Sequence, residues 1–401
     1  MTQPAFHLPD GFLFGASTAA HQTEGNNIAS DWWGFEHSGH PVIRQPSGDA
    51  VDSLHRWPED MDLLAGLGFN AYRFSIEWAR IEPEQGEFSR AAVDHYRRMV
   101  DGAIDRGLNP VVTLHHFTSP RWFTDGGGWS RADAVDRFQR YLEHATPIVA
   151  SGVSHVVTIN EPNILAIMFA VLNGGLPPTD EAGAMLGLPE PDAGVRDGLI
   201  AGHRAARAYL ADAVPGLQTG WSVANQAYQA EPGFEAETRA YSQSREGVFL
   251  EVSRDDDFVG VQSYTRTRIG AGGPLPVPDG VERTLMGWEF YPAALGEAVR
   301  ATAAAVPGVP ILVTENGIAT DDDETRIRYT SGALAGLAAA MRDGIDVRGY
   351  LHWSAIDNYE WGSFEPTFGL IHADRETFAR TARPSAHWLG ALAREGVLPA
   401  E

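Results

Sequence analysis

Val309-Pro310-Ile311-Leu312-Val313-Thr314-Glu315-Asn316-Gly317 is the stretch whose reading decides the fold. Its apolar, β-branched run reads as a strand buried on both faces, as in a parallel sheet covered by helices. A carboxylate ends the run, and Asn316-Gly317 turns the chain at once. The same design stands upstream in Val156-Val157-Thr158-Ile159-Asn160-Glu161-Pro162. A charged side chain at the mouth of a buried strand is costly unless it is paired or used. Either glutamate alone reads equally well as a cap for the helix that follows. Two strand ends of one design tip the reading toward a shared chemical site.

Outward from these two, strand-like runs cover residues 12–16, 69–76, 110–114, 217–224, 258–264 and 347–353. Helical periodicity falls at 57–67, 90–106, 131–150, 195–213, 242–252, 293–305, 326–342 and 384–395. Gly68 and Gly107 sit where the first two helices should stop. Eight strand-helix units in alternation predict an α/β fold, a single-domain (β/α)8 TIM barrel over residues 1–401. A doubly wound sheet fits the alternation too, but no Gly-x-Gly-x-x-Gly opens the first unit. Residues 26–52, 173–194 and 266–287, rich in Gly and Pro, read as long loops. Trp, His, Glu and Gln cluster just after the strands, the end at which a barrel places its active site.

Composition narrows the chemistry. There is no cysteine, which excludes disulfides and thiolate metal sites. The formal charge is −23, with 53 acidic residues against 30 basic ones, all of them Arg. Such a surface argues against nucleic acid and anionic membranes as partners. Without lysine there is no Schiff base and no phosphate-loop lysine. No apolar run is long enough to span a membrane, and residues 1–11 lack a signal peptide's pattern, so a cytoplasmic location is expected. His115-His116 resembles half a metal site, but no H-x-H or H-E-x-x-H accompanies it. Neither metal nor cofactor is expected.

The motifs, taken in order, resemble glycoside hydrolase family 1, the β-glucosidase family, over nearly the whole chain. They are Phe14-Gly15-Ala16-Ser17-Thr18-Ala19-Ala20-His21-Gln22-Thr23-Glu24-Gly25, Tyr72-Arg73-Phe74-Ser75-Ile76-Glu77-Trp78 and His115-His116-Phe117. Thr158-Ile159-Asn160-Glu161-Pro162 and Val313-Thr314-Glu315-Asn316-Gly317 follow, then His352-Trp353 through Glu360-Trp361 and Phe368-Gly369-Leu370. Each is weak alone; the ordered set is specific.

The resemblance implies retaining cleavage of β-D-glucosides, with some tolerance for galactose or fucose. Glu315 would be the nucleophile and Glu161 the acid/base, Arg73 and Tyr264 would hold the nucleophile, and Asn160 would serve both chemistry and binding. Gln22, His116, Asn160, Trp353, Glu360 and Trp361 would bind the sugar. Phe169, Asn225 and Tyr228 are expected on the leaving-group side, with Met168 and Leu172 nearby. His21 reads as structural. Two departures stand out: Gln262 replaces the family's usual Asn, and the segment after Trp361 is shortened and lacks a basic residue. Alternatives are transglycosylation by the same chemistry, a 6-phospho-β-glycosidase, or a non-catalytic glycan-binding relative. The phospho reading is disfavoured by Glu360, whose charge would repel a phosphate. The binding-only reading is disfavoured by the presence of both carboxylates.

Overall fold

In the computed structural model, residues 5–174, 179 and 186–399 are described. Eight strands close a parallel barrel: β1 Leu13–Ser17, β2 Ala71–Ser75, β3 Asn109–Thr113, β4 His155–Asn160, β5 Gln218–Ala224, β6 Val259–Gln262, β7 Ile311–Glu315 and β8 Val347–Trp353. They pair in chain order, and β8 returns to β1 through Leu351↔Gly15 and its neighbours. The long helices between them are α1 Ser53–Leu67, α2 Arg90–Asp105, α3 Ala134–Val149, α4 Ala193–Ala213, α5 Glu235–Ser242, α6 Ala294–Ala305, α7 Asp323–Arg342 and α8 Pro384–Glu395.

Local chemistry sets the ends of these helices. Ser89 accepts from the Ala92 amide at the start of α2, and Asp192 accepts from Val195 at the start of α4. Gly68 takes a left-handed φ of 102° just past α1, as the sequence predicts.

Alternation along the strands builds two apolar layers. Phe14, Tyr72, Val112, Val156, Val313 and Tyr350 join the helices in the large core. Their neighbours Leu13, Ala71, Val111, Val157, Leu312 and Leu351 form a separate buried cluster that plugs the barrel interior. Two residues beyond the plug, β2 carries Arg73 and β3 carries Thr113 on the same inner side.

Strict alternation would turn Asn160 on β4 and Glu315 on β7 away from that side. On β4 the pairing slips between Val157 and Asn160, so three residues advance against two on β5. On β7 it slips between Val313 and Glu315, so two residues advance against one on β6. Without the slip, Thr314 rather than Glu315 would follow Leu312 on the inner side. Irregularities of this kind re-aim side chains at sheet ends.

Three expectations change. The 266–287 segment is not all loop: Arg266–Gly270 and Gly273–Pro274 form a hairpin whose first strand also pairs with Ala227–Ala230. The helix expected at 242–252 is broken, with α5 passing into a π turn at Gln243–Gly247 before a short helical piece, Val248–Leu250. The 26–52 segment contains a short helix, Asp31–Glu36. Of the 173–194 insertion, residues 175–178 and 180–185 lie outside the described residues. Among the described residues no helix is long and apolar enough to cross a membrane.

Gly15 lies where β1 meets β2, and a Cβ there would stand 1.9 Å from the Ala71 carbonyl oxygen. Backbone cannot yield as a side chain tip can. Gly15→Ala is expected to lower stability by at least about 2 kcal/mol, measured as the midpoint of urea unfolding. An unchanged midpoint would contradict this packing.

Candidate active site

Arg73 is the hub. It is fully buried, and its Nε donates to Thr113 Oγ1 at 3.0 Å. Its Nη1 meets Glu315 Oε1 at 2.6 Å and the Thr314 carbonyl at 3.3 Å. Its Nη2 donates to Asn160 Oδ1 at 2.5 Å. One planar guanidinium thus ties β2 to β3, β4 and β7, using the fixed fork that suits arginine to such sites. Tyr264, two residues past β6, donates to the other oxygen of Glu315 at 2.6 Å. Glu315 is therefore held at both oxygens and is only 4% exposed.

Glu161 is placed differently. It follows β4 with φ of 42°, a left-handed conformation unusual for a side-chain-bearing residue; such a residue stores on the order of 1–2 kcal/mol. Its amide donates to the Ser222 carbonyl at 2.7 Å, and its own carbonyl accepts from Leu165 at 3.0 Å. Pro162 then opens the helix Pro162–Gly174 at the position where a missing N–H is harmless. The side chain is half-buried, and no hydrogen bond among the described residues supports its charged form.

The two carboxyls consequently differ in acidity. Burial first, then the charges of Glu315 and Glu360, push Glu161 well above the ordinary carboxylate range, against a partial pull from Arg73. Burial raises Glu315 as well, but by less, because Arg73, Tyr264 and Gln262 all favour its charged form. Two carboxyls this closely coupled share their first proton, and it resides on the one with fewer donors. That is Glu161. Glu360, half-buried and receiving Trp353 Nε1 at 3.3 Å, is pushed up to about 8 by burial and by Glu315.

The other expected sugar-binding residues gather around this centre. Asn160 Nδ2 lies 3.4 Å from His116 Nε2, and the His116 ring is nearly parallel to that of Trp353, with centroids 5.8 Å apart. Trp353 ends β8, packs with Ala19, Ala319 and Phe368, and joins Ser354 through a cis peptide. Gln22 donates to the Tyr359 carbonyl at 2.9 Å and to Asn358 Oδ1 at 3.2 Å. Trp361 stacks on His21 at 5.8 Å and is half-buried.

Three buried polar atoms here, Gln22 Oε1, His116 Nδ1 and Gln262 Oε1, have no partner among the described residues. Buried polar groups are normally satisfied, so such a cluster marks a place for a hydrogen-bonding ligand. A donor-and-acceptor set over an indole face fits a polyhydroxylated ring.

The expected leaving-group residues divide. Phe169 and Leu172 are exposed on the helix Pro162–Gly174, at 36% and 48%, and Met168 is half-buried. Tyr228 is half-buried on the small sheet, edge-on to Tyr241 at 5.7 Å. Asn225 offers no free amide to a cleft mouth: it is fully buried and donates to Glu246 at 2.9 Å and Thr302 at 3.4 Å. Strand β5 ends one residue before it, and the side chain is drawn back toward the π turn.

Some contributors escape sequence reading. Trp288, from a loop, packs against Tyr264 and Phe368 at 5.7 and 6.5 Å. His21, read as structural, is the stacking partner of Trp361. Its Nδ1 lies 3.1 Å from Asn27 Nδ2. No local periodicity distinguishes these residues from ordinary loop aromatics.

The model of the family described as "Glycosyl hydrolase family 1" matches residues 5–190 and 277–396. A thermostable β-glucosidase B of Thermobispora bispora is 31% identical, across 98% of this chain and 91% of its own length. The crystal structure of β-glycosidase BGL167 superposes with a TM-score of 0.88 at 41% identity, covering 98% of each chain. A β-glucosidase from Thermotoga maritima, solved in complex with deoxynojirimycin, gives 0.87 at 25% identity, covering 98% of this chain and all of its own.

The acidity of Glu360 has a consequence for stability. A carboxyl raised from 4.5 to about 8 binds its proton more tightly folded than unfolded. Its contribution is therefore largest below pH 4.5 and is lost as pH rises through about 8. Glu360→Gln is expected to match the wild type in urea unfolding at pH 5 and to exceed it by about 1 kcal/mol or more at pH 8.5. Parallel pH profiles for the two proteins would contradict the assignment.

Proposed function

The chain belongs to glycosyl hydrolase family 1 and is a glycoside hydrolase, and from that premise we propose that it hydrolyses β-D-glucosides with retention, through a covalent glycosyl-enzyme. The observation that carries the reading is the unequal treatment of two neighbouring carboxyls. Glu315 has a donor on each oxygen, whereas Glu161 has none among the described residues and holds its proton. That division suits a nucleophile and an acid/base.

In the first step Glu315 attacks the anomeric carbon from one face. Glu161 delivers its proton to the glycosidic oxygen on the other, and the aglycone leaves as an alcohol. Positive charge grows on the sugar ring as the bond breaks, and the carboxylate facing it stabilises that charge. Arg73 and Tyr264 keep Glu315 charged and aimed before attack, so little reorganisation remains for the transition state. Once Glu315 is esterified, its charge no longer raises the pKa of Glu161. Glu161, left as a carboxylate by the first step, therefore stays ionised until it takes a proton from water, which attacks the same carbon and releases Glu315. Two inversions give net retention.

Glu360, together with Trp353 and Trp361, supports recognition of the sugar's far hydroxyls. A carboxyl near neutrality can accept or donate, which suits a group facing several hydroxyls. The apolar cluster behind Trp353 stiffens the platform beneath the ring. Exposed Phe169 and Leu172 support apolar rather than sugar aglycones, since such walls reward buried area more than hydroxyls.

Azide assigns the roles. Glu161→Ala should still release dinitrophenol from its β-glucoside, because that leaving group departs without a proton, and then stall. Added azide needs no base and should restore turnover, yielding β-glucosyl azide. With Glu315→Ala, azide should attack the anomeric carbon directly and yield the α-azide. The opposite pairing of variants and products, read by proton NMR, would reverse the roles.

A further inference from the structure

Gln262 ends β6 and is paired across the sheet with Glu315. It is fully buried. Its Nε2 donates to Asn160 Oδ1 at 2.8 Å, the same oxygen that receives Arg73 Nη2 at 2.5 Å. An amide oxygen offers two lone-pair sites, and both are thereby taken. The Asn160 amide consequently has one orientation. Turned over, its Nδ2 would face two donors and lose both bonds. Nδ2 is left as the free end, with only the long 3.4 Å approach to His116 Nε2.

Gln262 is itself braced from behind. The Asn225 amide donates to the Gln262 carbonyl at 2.7 Å, and the Gln262 amide approaches Asn225 Oδ1 at 3.4 Å. Asn225 is fixed in turn by Glu246, a buried carboxylate on the π turn Gln243–Gly247. A line of hydrogen bonds thus runs from outside the barrel to the amide beside the reacting carboxylate.

The position of that amide says which hydroxyl it meets. Arg73 grips Glu315 and Asn160 with neighbouring nitrogens, so the Asn160 amide flanks the carboxylate that attacks the anomeric carbon. The hydroxyl flanking that carbon is the one at position 2. We propose that Gln262 is a positioning residue, which together with Arg73 fixes the Asn160 amide so that Nδ2 donates to the 2-hydroxyl of the sugar. The inference rests on the reading of Glu315 as nucleophile. Hydrogen bonds at this hydroxyl strengthen in the transition state, so the effect of Gln262 falls on kcat more than on KM.

The test is a cycle between variant and substrate. Gln262→Leu and Gln262→Met remove the donor, and the unbranched Met variant keeps the shape of the side chain should the Leu variant fail to fold. Each is assayed beside the wild type on 4-nitrophenyl β-glucoside and on its 2-deoxy analogue. The expected result is a loss in kcat of about tenfold on the glucoside, the worth of one hydrogen bond in a buried site. On the 2-deoxy substrate the loss should be clearly smaller, because the coupled hydroxyl is gone and only the support that Gln262 gives the charge of Glu315, common to both substrates, remains to be lost. Equal losses on the two substrates, or none on either, would overturn the role of Gln262 while leaving the functional reading intact. Failure of the wild type to cleave the glucoside at all would overturn both.

Discussion

A single buried cation organises the site. Arg73 has no access to water, and a guanidinium there is tolerable only if its donors are met by fixed acceptors and its charge by an opposite charge. Thr113, Asn160, the Thr314 carbonyl and Glu315 supply them. The dependence is mutual. Glu315 stays charged because Arg73 is there, Asn160 keeps its amide orientation because Arg73 and Gln262 share its oxygen, and three strand ends are held in register by one side chain. Since removing either partner of a buried pair leaves the other unpaired, this arrangement constrains sequence far more than an exposed salt bridge would.

Placement of Glu315 and Glu161 requires departures from regular structure, and the chain meets them in different ways. On β7 a slip in pairing puts Glu315 inward after the apolar Leu312. On β4 a slip of the same size puts Asn160 inward, and Glu161 then takes a left-handed backbone before Pro162 starts a helix. The outcome is that one carboxyl sits among donors while the other, among the described residues, has none. Their difference in acidity follows from geometry rather than from residue type. Burial raises both, and the donors on Glu315 limit its rise.

Much of this was legible in the sequence, for identifiable reasons. Buried parallel strands announce themselves as β-branched runs, and eight of them alternating with helical periodicity leave few other folds. The glutamates stood out because a carboxylate ending an apolar strand conflicts with burial unless it has a purpose. Family resemblance added Gln22, His116, Trp353 and Glu360, which spacing alone would not have singled out. What escaped were features set by tertiary contact. The slips at Val157–Asn160 and Val313–Glu315 have no local signature. The hairpin at Arg266–Pro274 is masked by Gly and Pro, and the π turn at Gln243–Gly247 looks like ordinary helix. Asn225 illustrates the limit: its place after β5 suggested a cleft residue, yet Glu246 behind the sheet claims its amide.

The central claim is that Glu315, held by Arg73 and Tyr264, forms a bond to the sugar. An activated 2-deoxy-2-fluoro β-glucoside tests it most directly, because the fluorine slows both steps while the activated leaving group restores the first, so the intermediate accumulates. Peptide mass spectrometry after proteolysis should find one fluoroglucosyl group, attached to Glu315. A label on Glu161, or steady turnover with inverted product and no label anywhere, would contradict the account.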